Sequence, residues 1–448
     1  MSEYEDSYNK ALDYLYSFVD FSMQKAQTYS PERFKLERML LLATSLGNPQ
    51  QKYPTIHVAG TKGKGSVSVM CASALHAAGY RVGLYTSPHL DDYAERIQID
   101  SEFIPHTDLV SIIEEIKPYV EEIPELTTFE ITTALAFLYF AKKNVTAAVI
   151  EVGLGGRLDA TNVLIPKVSV ITSISYDHTH LLGDTLTLIA GEKAGIIKTG
   201  VPVVVSPQNE EARAVIEHVA HERSAPLVQV GQDYLFEAIS HSLEGQEMRV
   251  WARENPDSST VTLTIPLLGD HQVANAATAY AVLETANQNG LSIPLESIRT
   301  GFADVFWPGR FEIVNGAPPV ILDCAHNRDS AEKLGFTLTE YYPKRPVVMI
   351  YGASEDKDIL GMFAELMPMV REMIAVKSFH PRAIEPEKLI EMALLYKCPA
   401  QIIHSIPEAM EIALHEAGEN GIVLVTGSIF VVAEARKYWE KKAEIRRY

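Results

Sequence analysis

The sequence predicts an α/β protein of two doubly wound units: a larger one over residues 1–305, with a mainly parallel sheet plus a small β region, and a smaller one over 306–448. Three observations predict it. Short apolar runs of buried-strand type alternate with segments of helical periodicity, the rhythm of βαβ units. A glycine turn, Gly60-Thr61-Lys62-Gly63-Lys64-Gly65-Ser66, stands between a strand-like run, Pro54 to Ala59, and a helix-forming run, Val67 to Ala78. The rhythm breaks at Trp307-Pro308-Gly309 and then starts afresh.

Taken in order, residues 4 to 47 read as helical, with Leu12, Leu15, Tyr16 and Val19, then Phe34, Leu36, Met39 and Leu40 at helical spacing. An interruption falls near Ser30-Pro31, and Gly47-Asn48-Pro49 ends the region. After the glycine turn come a strand, Arg81 to Thr86, and helices over Thr107 to Glu122 and Thr128 to Lys143. Ala147 to Val152, Val168 to Ile174, Val201 to Ser206 and Pro226 to Val230 continue the strands, with a helix from Glu210 to Glu222. Residues 233 to 265 shift to polar alternation, as in Val261-Thr-Leu-Thr-Ile265, which predicts a small β region against the main sheet. Helices over Val273 to Asn289 and Leu295 to Ala303 close the first unit. The second offers strands at Val320 to Asp323, Val347 to Tyr351, Met373 to Val376, Gln401 to His404 and Ile422 to Thr426.

Composition narrows the class. A net charge of -19 argues against a nucleic-acid surface, and the basic residues between Lys441 and Arg447 read as a solvated helix end. Cys71, Cys324 and Cys398 are few, far apart and without a CxxC, which fits a reducing compartment. The first ten residues are acidic and polar, and no apolar run approaches the ~18 residues a membrane span needs. A cytoplasmic protein is the expectation, with no membrane and no nucleic-acid partner.

The glycine turn is where a phosphate chain can be held. Glycines let backbone N–H groups come close to phosphate oxygens, and a helix start adds orphan donors and the positive end of a dipole. Lys64 would neutralise phosphates, and Ser66 could ligate the Mg²⁺ that travels with ATP. The P-loop spacing is broken, since Val58 stands where a glycine should and Gly65 separates Lys64 from Ser66. The bland alternative is a glycine-rich βα turn with solvated lysines.

Later strand ends carry polar groups of one kind. Ser87-Pro88-His89-Leu90 is a turn at a strand's carboxyl end, where α/β sheets bind ligands. Glu151 ends an apolar strand ahead of Gly153, Gly155 and Gly156, and a carboxylate there can bind Mg²⁺. Asp177-His178 ends the next strand; a histidine alone is as readily a satisfied hydrogen-bonding residue as a ligand. Lys193 sits in an apolar helical segment, Leu186 to Ile197, where snorkelling to solvent is the default. His271-Gln272 with Asn275 opens a helix after Gly269, where the Gln and Asn amides suit an adenine edge or are simply caps. Arg310 suits a phosphate oxygen or a surface ion pair. Asp323-Cys324-Ala325-His326-Asn327 ends the second unit's first strand, and Thr426-Gly427-Ser428 its last, the latter readable as a helix cap.

In order along the chain, Gly60 to Ser66, Ser87 to Leu90, Phe129-Glu130, Glu151 to Asn162, Asp177-His178, Glu192 to Gly195, His271-Gln272 with Asn275, Pro308 to Arg310, Asp323 with Ala325 to Asn327, and Thr426 to Ser428 resemble the motifs of folylpolyglutamate and dihydrofolate synthases, ATP-dependent amide ligases of the Mur ligase superfamily. The match runs from about Val58 to Phe430. The resemblance implies a P-loop-type ATP-binding domain joined to a Rossmann-like C-terminal domain, with the active site in the cleft between them. It implies that the loop from Gly60 through Thr61, Lys62, Gly63, Lys64 and Gly65 to Ser66, with Asn275, Arg310 and Asp323, contacts ATP. Two Mg²⁺ sites would draw on Ser66, Ser87, Glu151 and His178. Thr127, Thr128, Phe129, Glu130, Leu158, Asp159 and Ala160 would line the pterin site, and His326 and Ser428 would contact substrate. Lys193 corresponds to the lysine carbamylated in this family, which reverses the snorkelling reading. One departure is Cys324, where the family has glycine; if the backbone there needs φ > 0, a cysteine is strained.

The implied reaction transfers ATP's γ-phosphoryl to a carboxylate of a folate or dihydropteroate, after which the amine of L-glutamate attacks the acyl phosphate. Catalysis would be positioning and charge neutralisation, with Lys64, Lys193, His178 and Arg310 as its residues. A monomer is expected. Two rivals stay open: a nucleotide-switched regulatory or assembly ATPase, and a Mur-type peptidoglycan ligase. Against the second, only about 50 residues precede the glycine loop. Which of the two folate reactions is run, or both, is not readable from the residues.

Overall fold

The near-continuous apolar runs become fully buried strands, because parallel strands covered by helices on both faces leave no polar side. The structure, a computed structural model, describes residues 3–19 and 35–445. The interruption expected near Ser30-Pro31, with Phe34, lies outside the described residues, as do the last two basic residues of the C-terminal run. The first sheet comprises β1 (Thr55–Ala59), β2 (Val82–Tyr85), β3 (Ile97–Ile99), β4 (Glu102–Phe103), β5 (Ala147–Glu151), β6 (Val168–Ile171), β7 (Val203–Val205) and β8 (Leu227–Gln229). Its order is β4-β3-β2-β5-β1-β6-β7-β8, parallel except for β3 and β4, which add an antiparallel edge. Those two strands were not predicted. They are two and three residues long, and the sequence around them is half polar.

The strand that leads into the glycine turn, β1, lies in the middle of this sheet, between β5 and β6. Ile56 and Val58 face a core shared with the helix Lys64–Ala77 and the helix Asp270–Gln288. Burying each such side chain contributes ~1.5–3 kcal/mol. The predicted small β region is a three-stranded antiparallel sheet of β9 (Tyr234–Ser242), β10 (Gly245–Ala252) and β11 (Val261–Ile265). Val261, Leu263 and Ile265 are buried in that same core while Thr262 and Thr264 face out, as the alternation required. In the N-terminal region Leu15 and Met39 are fully buried, whereas Tyr16 and Leu40 are exposed.

The last sheet comprises β12 (Glu312–Gly316), β13 (Pro319–Leu322), β14 (Val347–Tyr351), β15 (Val370–Ala375), β16 (Ala400–Ile402) and β17 (Ile422–Thr426). It runs β12-β13-β17-β14-β15-β16, parallel except for β12, which the sequence reading missed. Alternate residues of its strands feed two cores: Ile321, Met349 and Met373 one, Val320, Val348 and Ile374 the other. Helices on both faces make it the smaller doubly wound unit. The carboxyl ends of β1, β5 and β6 and that of β13 open on one cleft.

Candidate active site

The glycine turn does what its composition requires. Gly60 has φ +149, and a Cβ there would lie 1.8 Å from Thr172 Oγ1. Gly63, φ +85, caps the helix Lys64–Ala77, and its Cβ would lie 2.3 Å from Asn275 Oδ1. Any larger residue would push the turn out of place. The N–H groups of Thr61 and Lys62 donate to Ser173 O at 2.9 and 3.1 Å, so those amides are already paired. Lys64, Gly65 and Ser66 line the cleft in the helix's first turn, where amides lack intrahelical partners and no side chain caps them.

Around this turn the cleft has a volume of about 240 Å³ and stands open to solvent. Ser87, Glu151, His178, Lys193, Asn275, Arg310, Asp323 and His326 all line it. Glu151 is buried; its Oε2 accepts from Ser87 N at 3.2 Å, and its Oε1 stands 3.9 Å from Lys64 Nζ. Burial raises the Glu151 carboxyl's pKa, and the Lys64 charge opposes that rise. Asp323 is pushed the same way by burial and opposed by Arg310, while its two oxygens accept from Phe311 N and Ala325 N, each at 2.8 Å. Arg310 thus lines the cleft and is not the surface ion pair that the sequence left open.

Lys193 corrects the snorkelling default. Its side chain is buried, Nζ donates to Gly60 O at 2.9 Å, and desolvation, helped by the Lys64 charge, lowers its pKa to about 7. A partly neutral lysine is the consequence. Cys324 corrects a second expectation: its φ is not positive, so it carries no glycine-type strain. Its N–H donates to Gly309 O at 2.9 Å.

The remaining predicted residues lie behind the cleft wall. Thr127 and Glu130 form a capping box for the helix Thr128–Lys142, and Glu130 also accepts from Arg38 Nε at 3.1 Å. Thr128 Oγ1 donates to Leu15 O at 2.9 Å, and the Phe129 ring packs on Gly153. Leu158 is half-buried, while Asp159 and Ala160 are buried. Ser428 Oγ accepts from Phe430 N at 3.3 Å, the cap the sequence suggested.

Sequence reasoning undervalued Asp177. Its carboxylate meets Lys62 Nζ at 3.3 Å, Lys357 Nζ at 3.0 Å, Asn327 Nδ2 at 3.2 Å and His326 Nε2 at 3.6 Å. Burial alone would raise its pKa, but His326, Lys62 and Lys357 outweigh it and hold the group far below the usual carboxylate range. Desolvation lowers Lys62 to about 8, with Asp177 opposing. His178 is lowered to about 3 by desolvation, and His326 to about 4 by the Lys62 charge and then by burial, so both rings are neutral. Lys357 was missed altogether. Its turn follows β14, and strand-end position was the signal available. Lys333 and Thr337, on the helix Arg328–Tyr341, also line the cleft and were not anticipated.

Comparison with known proteins agrees with this geometry. Residues 58–283 match the Mur ligase middle domain, and residues 309–429 the Mur ligase glutamate ligase domain. The dihydrofolate synthase/folylpolyglutamate synthase of Bacillus subtilis is 36% identical over 414 residues, covering 90% of this chain and 94% of that one. The structure of Escherichia coli FolC in complex with DHPP and ADP superposes with a TM-score of 0.86 at 32% identity, covering 100% of both chains. That of Mycobacterium tuberculosis folylpolyglutamate synthase complexed with ADP gives 0.87 at 31% identity, covering 98% of this chain and 99% of that one. The chain therefore belongs to the folylpolyglutamate and dihydrofolate synthase family of Mur ligases, and it is an ATP-dependent carboxylate–amine ligase.

Proposed function

We propose that this ligase joins L-glutamate to the carboxylate of a folate or a dihydropteroate, with ATP bound on the Gly60–Ser66 turn and against Asn275, Arg310 and Asp323. The observation that carries the reading is one cleft in which Lys64 and Glu151, from the first sheet's strand ends, face Arg310 and Asp323 from the last sheet's. A carboxylate is a poor electrophile until it is phosphorylated. Lys64 and Arg310 supply fixed positive charge for the transferring phosphoryl group, and no nucleophilic side chain is required. The neutral amine of glutamate then attacks the acyl phosphate, giving an amide and phosphate. The walls from the two units shield that intermediate from water.

The donor set fits Mg²⁺. Among the described residues no three His, Cys, Asp or Glu side chains cluster as a dedicated metal cage. One carboxylate, Glu151, with the hydroxyls of Ser66 and Ser87 and the ring of His178, leaves the other positions to phosphate oxygens and water, the ordinary Mg²⁺ arrangement. Mg²⁺ held there would neutralise phosphate charge. Lys193 fits carbamylation: a lysine with pKa near 7 offers the neutral amine that adds CO₂, and the product supplies anionic oxygens beside the metal residues. Thr127 to Glu130 and Leu158 to Ala160 back the Gly153–Leu154 wall from behind and make it the pterin side, while His326, with Ser428 behind it, marks the glutamate side. The boundary between units falls at 305/306, between the helix Leu295–Ala303 and β12. Among the described residues no helix is long and apolar enough to cross a membrane; we read the protein as a cytoplasmic monomer.

The test is incubation with ATP, Mg²⁺ and L-glutamate plus dihydropteroate, tetrahydrofolate or a uridine-nucleotide peptide, following phosphate release and product mass. Turnover with one or both pteroyl acceptors and none with the uridine nucleotide is expected. Phosphate release indifferent to all three acceptors would sink the reading.

A further inference from the structure

His57 is a buried titratable group that the reaction does not use. It sits in the middle of β1 with no exposed surface. Its neighbours Ile56 and Val58 point into the core under the helix Lys64–Ala77, so strand alternation sends His57 to the other face of the sheet. There Nε2 lies 2.8 Å from Thr161 Oγ1, on the 3₁₀ turn Ala160–Val163. Thr161 Oγ1 in turn lies 2.5 Å from Asp159 Oδ1, which also accepts from Thr161 N at 3.0 Å. Asp159 Oδ2 accepts from Leu154 N at 2.9 Å. Gly153 and Leu154 line the cleft.

The proton positions follow from donor chemistry. A carboxylate only accepts, so the single hydroxyl proton of Thr161 goes to Asp159. Thr161 Oγ1 can then only accept from His57, which places the ring proton on Nε2. Desolvation, with the nearby Lys198 charge, lowers the ring's pKa to about 3 and keeps it neutral. Nδ1 is left buried without a partner. An apolar side chain would avoid that desolvation cost, so the histidine needs a reason to be there.

We propose that His57 is a positioning residue: through Thr161 it fixes the Asp159 carboxylate, and through that carboxylate the Gly153–Leu154 wall against which the pteroyl acceptor binds. The inference rests on the pterin side proposed above, whose Phe129 ring packs on Gly153 and whose Asp159 accepts from Leu154 N. Because β1 continues into Gly60, one strand sets both the phosphate loop and the acceptor wall.

Two measurements on the full chain test it. In ¹⁵N-histidine NMR, assigned with His57→Asn, the wild type should show His57 protonated at Nε2 and bare at Nδ1 from about pH 6 to 8. In kinetics, Thr161→Val keeps the side-chain shape and removes the hydroxyl. The acceptor KM should rise about 10- to 100-fold, the range for an orienting partner, with kcat and the ATP KM within about three-fold, while Thr161→Ser restores the acceptor KM. A proton on Nδ1 overturns the proposal, as does an unchanged acceptor KM or an equal rise in both KM values. If the wild type turns over no pteroyl acceptor, the functional reading falls and the acceptor clause of the proposal falls with it, whatever the tautomer.

Discussion

The cleft has two charged regions, and they treat their charges in opposite ways. On the phosphate-loop side Lys64 stands 3.9 Å from Glu151 Oε1, beyond hydrogen-bond reach, and the first-turn amides of its helix have no cap. At the junction between the units Lys62, Lys357, Asn327 and His326 all converge on Asp177. We read the charge held ready for a ligand as the proposed catalytic part, and the charge already paired with protein as a brace. The sequence gives both regions the same look, lysines and acids at strand ends, and only their spatial pairing separates them.

That contrast is broken or sharpened first by exchanging one residue from each region. Lys64→Ala should reduce glutamate-dependent ATP turnover about 10³-fold, the scale of losing a preorganised charge at a phosphoryl group, with an unchanged urea midpoint. Asp177→Asn should show the reverse balance. It leaves two partly buried lysines without their carboxylate, so stability should fall by about 2–4 kcal/mol in urea titration, and turnover by about 10- to 100-fold through misplaced Lys62 and His326. If Asp177→Asn cost as much activity as Lys64→Ala at full stability, the junction would be part of the chemistry and the distinction would fail.

Lys193 lies between the regions, bonded to Gly60 O, and its pKa of about 7 supplies a second test. An unfolded lysine titrates near ~10.4. Between those values the unfolded chain holds a proton that the folded chain lacks, so stability from this residue rises with pH across that window. Below about pH 7 both states are protonated and the slope disappears. In CO₂-free buffer, wild type should therefore gain on Lys193→Met between about pH 7 and 9, by at most ~1.4 kcal/mol per pH unit. Urea midpoints for the two proteins measure it. A flat or falling difference would mean that the lysine stays charged where it is buried.

The sequence revealed what local pattern can carry. Parallel strands are legible because burial on both faces makes them continuous apolar runs, and the glycine turn is legible because φ > 0 and close approach demand glycine. The short edge strands β3, β4 and β12 escaped because two to five half-polar residues have no such signature. Lys193 was ambiguous for a different reason: an apolar helix with one lysine looks the same whether the amine reaches water or a carbonyl. Asp177 and Lys357, 180 positions apart, are joined only by the fold. The same holds for His57 and Thr161, 104 apart, whose hydrogen bond no periodicity announces.

The smallest expected effect is at Cys324, and it tests the junction side of the contrast most finely. Its φ is ordinary, its N–H is fixed to Gly309 O, and its Sγ packs against Gly309. Burial pushes the thiol's pKa up to about 12, so at neutral pH it is neither a nucleophile nor a metal ligand. What it offers the cleft is volume and a backbone course. Cys324→Ala should then cost about 1 kcal/mol of stability for the lost sulfur contacts. Cys324→Gly should cost about 0.5–1 kcal/mol more in backbone entropy. Turnover in both should stay within about three-fold of wild type, because Asp323 and Ala325 keep their hydrogen bonds. A hundred-fold loss in Cys324→Ala at near-normal stability would mean that this strand end depends on its individual side chains as sharply as the phosphate loop does, and the brace would have to be redrawn as part of the active surface.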